Sequence, residues 1–512
     1  MLIHHFLEDA ARRFPDKPAI WYRERWMSYS EIEEKASRLA RYLRERGICR
    51  GQRVCLLLSN SHDYIISYYA ILKADAVVVA LNTDCTATSL EYLINNSEAR
   101  AILAAKKYFK CLLPALKKTP DITTVVADAY FPEQSHKEPS FETTTFESVF
   151  RQMPRLSTIP RTISIDLSSI VYTSGSTGKA KGVMLSHLNI IDNTRSIIRY
   201  LQLTRHDRVM AVLPFYYVYG STLLNTHIAA GGSVVIDNRF AFPNTVLHTM
   251  KEQSVTGFAG VPSTYMLLLS NSSLSEFAPF PNLRYVTQAG GHMAVSIQEQ
   301  VAKAFAPANL IVMYGATEAA PRLTWLPPER RPHKKGSIGI PVPNTEVFIA
   351  DDDGNRLPPG EIGEIVGRGS NIMMGYWKDS ESTERVLKHG MYYTGDLGRM
   401  DEEGYLYVVG RAGDMLKIGG KRTSAKEIEE AILEIPQVRE VAVIGIEDPV
   451  LGEAPKACIV PRKDGILDGI DLRHLLAKRL PLYKIPKIVE LRTSLPKNQA
   501  GKILRSRLRE QS

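Results

Sequence analysis

From Val54 to about Gly410 the chain alternates short apolar runs with amphipathic stretches, and that rhythm restricts its fold more than any other feature. Val54-Cys-Leu-Leu-Leu, Ala76-Val-Val-Val-Ala, Val209-Met-Ala-Val-Leu, Ser233-Val-Val-Ile and Asn309-Leu-Ile-Val-Met are apolar runs of strand length. Between such runs lie helix candidates. In Ser30-Glu-Ile-Glu-Glu-Lys-Ala-Ser-Arg-Leu-Ala-Arg-Tyr-Leu, the apolar Ile32, Ala36, Leu39 and Leu43 recur at helical spacing. The alternation predicts layered α/β subdomains with largely parallel strands.

The rhythm breaks at Gly354–Gly367 (Gly-Asn-Arg-Leu-Pro-Pro-Gly-Glu-Ile-Gly-Glu-Ile-Val-Gly), where turns and short strands predict a small β-rich region. It changes again at Arg411. Ser424-Ala-Lys-Glu427 has the spacing of a capping box, opening a helix with Ile428, Ala431 and Ile432 on one face. Val441-Ala-Val-Ile-Gly-Ile and Lys456-Ala-Cys-Ile-Val read as strands, and Asp471-Leu-Arg-His-Leu-Leu-Ala-Lys-Arg-Leu as a second helix. The expected organisation is a large α/β domain over 1–410 and a small α+β domain over 411–512, a normal domain size.

Composition narrows the class. A chain of 512 residues, 44% apolar and 23% charged, is neither a disordered tail nor a disulfide mini-scaffold. Nowhere does it approach the roughly 18 consecutive apolar residues of a membrane span. Acids and histidines at the start (Met1-Leu-Ile-His-His-Phe-Leu-Glu-Asp) occupy the place of a signal peptide's basic flank and apolar core. The five scattered cysteines (Cys49, Cys55, Cys85, Cys111, Cys458) form neither a disulfide framework nor a zinc pattern, so a cytoplasmic location is expected. The net charge is +9, and residues 462–512 hold 13 Lys and Arg against 5 Asp and Glu. Tyr483 is the sole aromatic there, which argues against a base-stacking nucleic-acid surface. A basic cap over a phosphate-rich ligand or acidic partner, and a merely solvated basic surface, both remain open.

The most specific segment is Val171-Tyr-Thr-Ser-Gly-Ser-Thr-Gly-Lys-Ala-Lys-Gly-Val183, directly after an apolar strand. Its glycines (Gly175, Gly178) let the backbone wrap an anion closely. The hydroxyls of Thr173, Ser174, Ser176 and Thr177 can donate hydrogen bonds, and Lys181 supplies charge. Those are the needs of a polyphosphate, although a flexible Gly/Ser turn has the same composition. The spacing of the ordinary P-loop is absent.

Four more motifs follow in order: Tyr314-Gly-Ala-Thr-Glu318; Tyr393-Thr-Gly-Asp396 with Gly404-Tyr-Leu-Tyr-Val-Val-Gly-Arg411; Lys417-Ile-Gly-Gly420; and Pro496-Lys-Asn-Gln-Ala-Gly-Lys502. Together with the loop they resemble the adenylate-forming superfamily of acyl- and aryl-CoA synthetases, luciferases and peptide-synthetase adenylation domains, over nearly the whole chain. The resemblance implies that a carboxylate attacks the α-phosphate of ATP and expels pyrophosphate. Two anions then meet, which calls for cations and preorganised donors rather than a strong base. It implies that Thr173, Ser174, Gly175, Ser176, Thr177, Gly178 and Lys181 hold the β- and γ-phosphates. Thr317 would contact the α-phosphate and Glu318 would hold Mg²⁺. Tyr314, with Gly290, Gly291 and Gly315, would bound the adenine, and Asp396 and Arg411 the ribose. Lys502 would bridge the attacking carboxylate and the nucleotide. After adenylation the small domain would rotate, withdrawing Lys502 and bringing Lys417–Gly420 to the site. Gly419 and Gly420 would then let the pantetheine arm of CoA, or of a carrier protein, pass close to the backbone.

The chain departs from the family pattern in several places. Gly413 stands at the pivot usually held by Asp or Lys, and Ala180 where proline is common in the loop. His292-Met293 follow the paired glycines in place of a small residue and proline. In Leu213-Pro-Phe-Tyr-Tyr-Val-Tyr-Gly220, Tyr217 replaces a frequent histidine and cannot carry positive charge at neutral pH. No acid follows in that segment, which argues against an amino-acid substrate, because a buried ammonium would lack a partner. By resemblance the acyl pocket involves Tyr217, Tyr219, Leu223, Val261, Gln288, Gly291 and Gly315, an aromatic-to-aliphatic lining suited to fatty or aromatic acids. Gln288 and Arg322 could read a polar tail, or Arg322 could face solvent. The expected function is an ATP-dependent acyl-CoA synthetase. A ligase loading carrier-protein phosphopantetheine, or a non-catalytic nucleotide-binding scaffold, are the alternatives.

Overall fold

The computed structural model describes all residues except 131–140, 158–160, 175–179, 412–414, 419–420, 450–451, 463–468, 478, 498–502 and 511–512. Among the described residues no helix is long and apolar enough to cross a membrane.

Two large sheets form the body of the large lobe. The first has nine strands, and its central six, from Asn309–Tyr314 through Tyr285–Gln288, Gly257–Gly260, Arg208–Ala211 and Ser233–Ile236 to Pro18–Tyr22, run parallel. The second has eight strands. Its parallel part runs from Leu167–Ser174 through Val77–Ala80, Arg53–Leu57, Ala99–Ala104 and Thr124–Ala127 to Glu142–Thr145. All five apolar runs singled out in the sequence coincide with these strands to within two residues at their ends. Being covered on both faces, such strands need no polar alternation, which is why they read as continuous apolar runs.

The helices between the sheets build the main core. Tyr29–Glu45 starts at Ser28, whose hydroxyl accepts from the Glu31 N–H while the Glu31 carboxylate accepts from the Ser28 N–H. Its Ile32, Ala36, Leu39 and Leu43 are all buried, as their spacing predicts. They pack in one cluster with the helices His62–Lys73, His187–Leu201 and Val218–Ala230.

The β-rich region is a third, antiparallel sheet of Thr345–Ala350, Gly363–Gly369, Met391–Met400, Leu387–Lys388 and Leu406–Arg411. Beyond Arg411 a fourth sheet contains Met415–Ile418, Lys421–Ser424, Val438–Asp448, Gly452–Pro461 and Ile488–Leu491, with the helices Ala425–Leu433 and Gly469–Ala477 against it. Mixed α/β architecture with a large lobe and a smaller C-terminal one is therefore observed.

The predicted capping box at Ser424 needs correction. Ser424 does cap its helix, but its hydroxyl accepts from the Lys426 N–H. Glu427 does not reach back; its carboxylate binds Lys484 at 2.6 and 2.7 Å, a charged partner outbidding a neutral N–H. Ile428 and Ile432 are buried and Ala431 partly so.

Candidate active site

The strand Asn309–Tyr314 is apolar and buried from Leu310 to Met313, and Tyr314 emerges at its carboxyl end, where open α/β sheets bind ligands. The chain then turns sharply. A side chain at Gly315 would place its Cβ 1.8 Å from the Pro321 carbonyl oxygen, so only glycine fits. The next residues wind into the short turn Thr317–Ala319, pinned by the Met373 N–H donating to the Glu318 carbonyl (2.8 Å) and by Asn371 donating to the Ala319 carbonyl (3.1 Å).

Tyr314 meets the β-rich sheet. Its hydroxyl donates to Asp396 Oδ2 at 2.6 Å, and Arg411 Nε donates to Asp396 Oδ1 at 2.8 Å. The strand register sets this pair, because Asp396 and Arg411 are direct cross-strand partners. Burial, with the Asp396 carboxylate beside it, drives the Tyr314 hydroxyl pKa well up, so the phenol stays protonated and a donor.

These residues bound a cavity of about 230 Å³ with Gln288, Gly290, Gly291 and Gly315. Gly290 has a φ of +83°, and side chains at Gly290 and Gly291 would press on Val261 and Pro262, so the backbone itself forms the wall. Gln288 donates to the Gly291 carbonyl at 2.7 Å and holds that turn. The opposite wall comes from the small lobe: Ser424, Lys426, Glu429 and Arg505.

A second cluster lies around Tyr376. Its hydroxyl donates to Glu318 Oε1 at 2.7 Å, while Lys181 Nζ sits 5.2 Å from its ring centroid and donates to Ser382 Oγ at 2.7 Å. Lys181 and Glu318, far apart in sequence, thus meet through one ring. Lys181 stands in the hairpin Leu167–Ser174 with Ala180–Ser186, paired with Thr173, and Ser174 pairs with Ala180. Gly175, Ser176, Thr177, Gly178, Gly413, Gly419, Gly420 and Lys502 lie outside the described residues, as do the side chains of Ser174 and Lys417.

The expected acyl residues divide. Gln288, Gly291 and Gly315 line the cavity. Tyr219 and Leu223 are buried on the helix Val218–Ala230, with the Tyr219 hydroxyl 2.8 Å from Thr287 Oγ1, next to Gln288 in sequence. Val261 stands behind Gly290. Tyr217 precedes that helix, half-buried against Tyr216 with ring centroids 4.6 Å apart, and burial pushes its hydroxyl up to about 12. Arg322 does not face solvent: it is 3% exposed, its guanidinium 4.9 Å from the Tyr219 ring centroid.

Sequence patterning gave no role to Tyr376 or to the cross-lobe contacts. His292 Nε2 lies 2.9 Å from Glu430 Oε1, Lys426 Nζ donates to the Val408 carbonyl at 2.6 Å, and the Ser424 hydroxyl donates to the Val409 carbonyl at 2.5 Å. Burial lowers the His292 pKa against the pull of Glu430, and burial likewise lowers that of Lys426. At Glu430 burial is the largest effect and acts upward, but the hydrogen bond from His292 together with the charges of His292 and Lys426 outweighs it and the pKa falls. The one sequence signal at this junction was the departure at His292-Met293.

Comparison with known proteins gives the same outline. The family model described as AMP-binding enzyme matches residues 7–377, and that described as AMP-binding enzyme C-terminal domain matches residues 427–502. The long-chain-fatty-acid–CoA ligase of Bacillus subtilis (strain 168) is 32% identical over 535 residues, covering 99% of this chain and 94% of that protein. The feruloyl-CoA synthase of Amycolatopsis sp is 32% identical over 504 residues, covering 98% and 96%. Among solved structures, an anthranilate CoA ligase in complex with anthranoyl-AMP superposes with a TM-score of 0.92 at 25% identity, covering 100% of this chain and 97% of that one.

Proposed function

Because this chain belongs to the AMP-binding enzyme family, on its acyl-CoA synthetase branch, we propose that it joins a fatty or aromatic carboxylic acid to CoA through an acyl-adenylate. A carboxylate oxygen attacks the α-phosphorus of ATP, and the bond from that phosphorus to pyrophosphate breaks. The thiol sulfur of CoA then attacks the acyl carbon, the bond to the AMP oxygen breaks, and the thiol proton leaves to solvent.

The observation that carries this reading is the cavity between the lobes, where a paired-glycine wall faces Tyr314, Asp396 and Arg411. Tyr314, Gly290, Gly291 and Gly315 bound the adenine. Asp396 accepts from the ribose hydroxyls: its two oxygens offer about four lone-pair sites, and Tyr314 and Arg411 take one each. Thr173 to Lys181 hold the outer phosphates, with Lys181 steadied by Ser382 and the Tyr376 ring, and Thr317 contacts the α-phosphate. Glu318 suits Mg²⁺: Tyr376 occupies Oε1, and Oε2 accepts no hydrogen bond among the described residues. Mg²⁺ when bound would neutralise phosphate charge.

Lys502 bridges the carboxylate and the nucleotide during adenylation. That role is supported by Arg505, three residues on, standing at the cavity wall. The small domain, taken as 411–512 against a large domain of 1–410, then turns to present Lys417–Gly420, Gly419 and Gly420 flanking the pantetheine arm. We place the enzyme in the cytoplasm, where its five free cysteines stay reduced. The basic segment 462–512 also favours a second acceptor, an acidic carrier protein bearing phosphopantetheine.

The test is pyrophosphate release from ATP across short, medium, long and aromatic acids, followed by supply of CoA and holo-carrier separately. Acid-dependent release and a thioester on CoA are expected. No release with any acid would leave a nucleotide-binding scaffold, and a thioester on the carrier alone would reassign the acceptor.

A further inference from the structure

Arg322 is a permanent cation that has been taken out of water. It is 3% exposed, its Nε has no hydrogen-bond partner, and no carboxylate among the described residues pairs with it. Its neighbours are the ring face of Tyr219 at 4.9 Å and the hydroxyl of Tyr200. A ring face and a neutral hydroxyl replace only part of the lost hydration, and guanidinium does not escape by shedding its proton. A buried charge without a counter-ion is costly unless something brings the counter-ion.

Its position says what could. The Arg322 Cα lies 3.0 Å from where a Cβ on Gly315 would sit, and Gly315 lines the inter-lobe cavity. Two residues before it, Ala320 lines a separate small cavity of about 30 Å³ beside Val218 and Thr222, on the helix that carries Tyr219. Tyr219 in turn binds Thr287, whose neighbour Gln288 is on the larger cavity's wall. The guanidinium lines neither cavity itself; it packs against Tyr219, one layer behind Gly315 and Gln288, and Tyr219 is the ring that the family resemblance assigns to the acyl pocket.

We infer that Arg322 is a specificity-determining residue, and that the acid this enzyme activates carries a second carboxylate at its far end. The fork of guanidinium N–H groups matches a carboxylate bidentately. The inference rests on the ligase reading above and narrows its substrate class from acids in general to dicarboxylic acids. One carboxylate is activated and the other is held by Arg322.

The test compares matched acids: octanoate with suberate, and benzoate with isophthalate and terephthalate, each scored by kcat/KM for pyrophosphate release. Wild type is expected to favour at least one diacid over its monoacid by about a hundredfold, the scale set by leaving a buried charge unpaired. Arg322→Met is expected to abolish that preference while retaining or improving turnover of the monoacid, and Arg322→Lys to restore it partly. Wild-type preference for the monoacid in every pair overturns the inference without a variant being needed. An Arg322→Met protein that lowers both acids equally and keeps their ratio overturns it too, by making the arginine purely structural. Pyrophosphate release with some monoacids and no diacid sinks this inference alone, whereas silence with every acid sinks the ligase reading beneath it.

Discussion

Removing Asp396 separates a nucleotide-binding role from a packing role, and the structure sets the size of the effect. Its carboxylate takes a 2.6 Å hydrogen bond from Tyr314 and a 2.8 Å bond from Arg411. Arg411 has a side chain 54% exposed, so truncation returns it to water at little cost. Tyr314 is partly buried, and its stranded hydroxyl should cost the fold about 1 kcal/mol. For the ligand, Asp396→Ala deletes the two charge-assisted hydrogen bonds proposed to the ribose. At about 1.5 kcal/mol each they total about 3 kcal/mol, or about 150-fold in the ATP dissociation constant. Asp396→Asn keeps one acceptor oxygen and should lose about tenfold. Tyr314→Phe keeps the ring and the carboxylate and should lose about fivefold at most. The assay is calorimetric ATP titration beside ATP-dependent pyrophosphate release, with melting curves to confirm folding. KM for the acid should stay constant across the series. A folded Asp396→Ala protein with wild-type ATP affinity would refute the assignment of this carboxylate to the ribose.

Other outcomes follow from the same geometry. Gly315→Ala drives a Cβ to 1.8 Å from a backbone carbonyl that cannot rotate away; overpacking of this kind costs about 1–3 kcal/mol. A lower melting temperature and loss of adenylation should therefore appear together, and a wild-type profile would contradict the close approach. The His292–Glu430 contact should make lobe docking acid-sensitive. Docking holds His292 below its ordinary 6.5 and lowers Glu430 as well, so docking is fully supported above pH 6.5 and weakens as pH falls below it. Lys426, Glu429 and Arg505 face the same junction, and burial there lowers the Lys426 pKa as well. Fluorescence transfer between dyes on the two lobes should report the loss, with a slope of at most about 1.4 kcal/mol per pH unit for one proton; His292→Gln should flatten it. Lys502→Ala should abolish adenylate formation yet spare thioester formation from supplied acyl-adenylate, and equal loss of both half-reactions would count against its role.

The strands of the two large sheets could be read directly because a parallel strand covered on both faces is an unbroken apolar word, as at Val77–Ala80 and Ser233–Ile236. Their order could not. The first strand of the chain, Pro18–Tyr22, pairs with Ser233–Ile236, a contact that no local pattern encodes. The same distinction runs through the site. Tyr314, Glu318, Asp396 and Arg411 sit in motifs whose joint order carries the resemblance to the adenylate-forming superfamily, and that resemblance marked them. Tyr376 sits in a two-residue strand, Gly375–Tyr376, too short for any period, and its service to both Lys181 and Glu318 exists only in the fold. Lys426 and Glu430 have the spacing of an ordinary solvated helix pair, and only docking reveals that both turn to the other lobe. At Ser424 the local rule failed because Lys484, from a distant segment, offered Glu427 a charged partner.

The junction between the lobes has the composition that a reopening joint needs. The small lobe carries its own apolar cores: Leu416, Ile428, Ile432, Val443 and Leu476 pack in one cluster, and Ala442, Ile444, Cys458 and Leu508 in another. Neither cluster includes a buried residue of the large lobe; Leu433 packs on both lobes' cores, and the described polar links across the joint are Ser424 to Val409, Lys426 to Val408 and Glu430 to His292. Opening such a joint exposes the apolar contact of Leu433, at about 25 cal/mol per Å², and exchanges each polar contact for water at a net cost of about 1 kcal/mol. Docking also lowers the Lys426 pKa through burial, so opening returns that ammonium to water and offsets part of the loss. On the proposed mechanism, a lobe that delivers Lys502 for one half-reaction and Lys417–Gly420 for the next requires two arrangements close in free energy. A polar seam beside self-sufficient cores provides that balance; a shared apolar core would lock the enzyme after its first step.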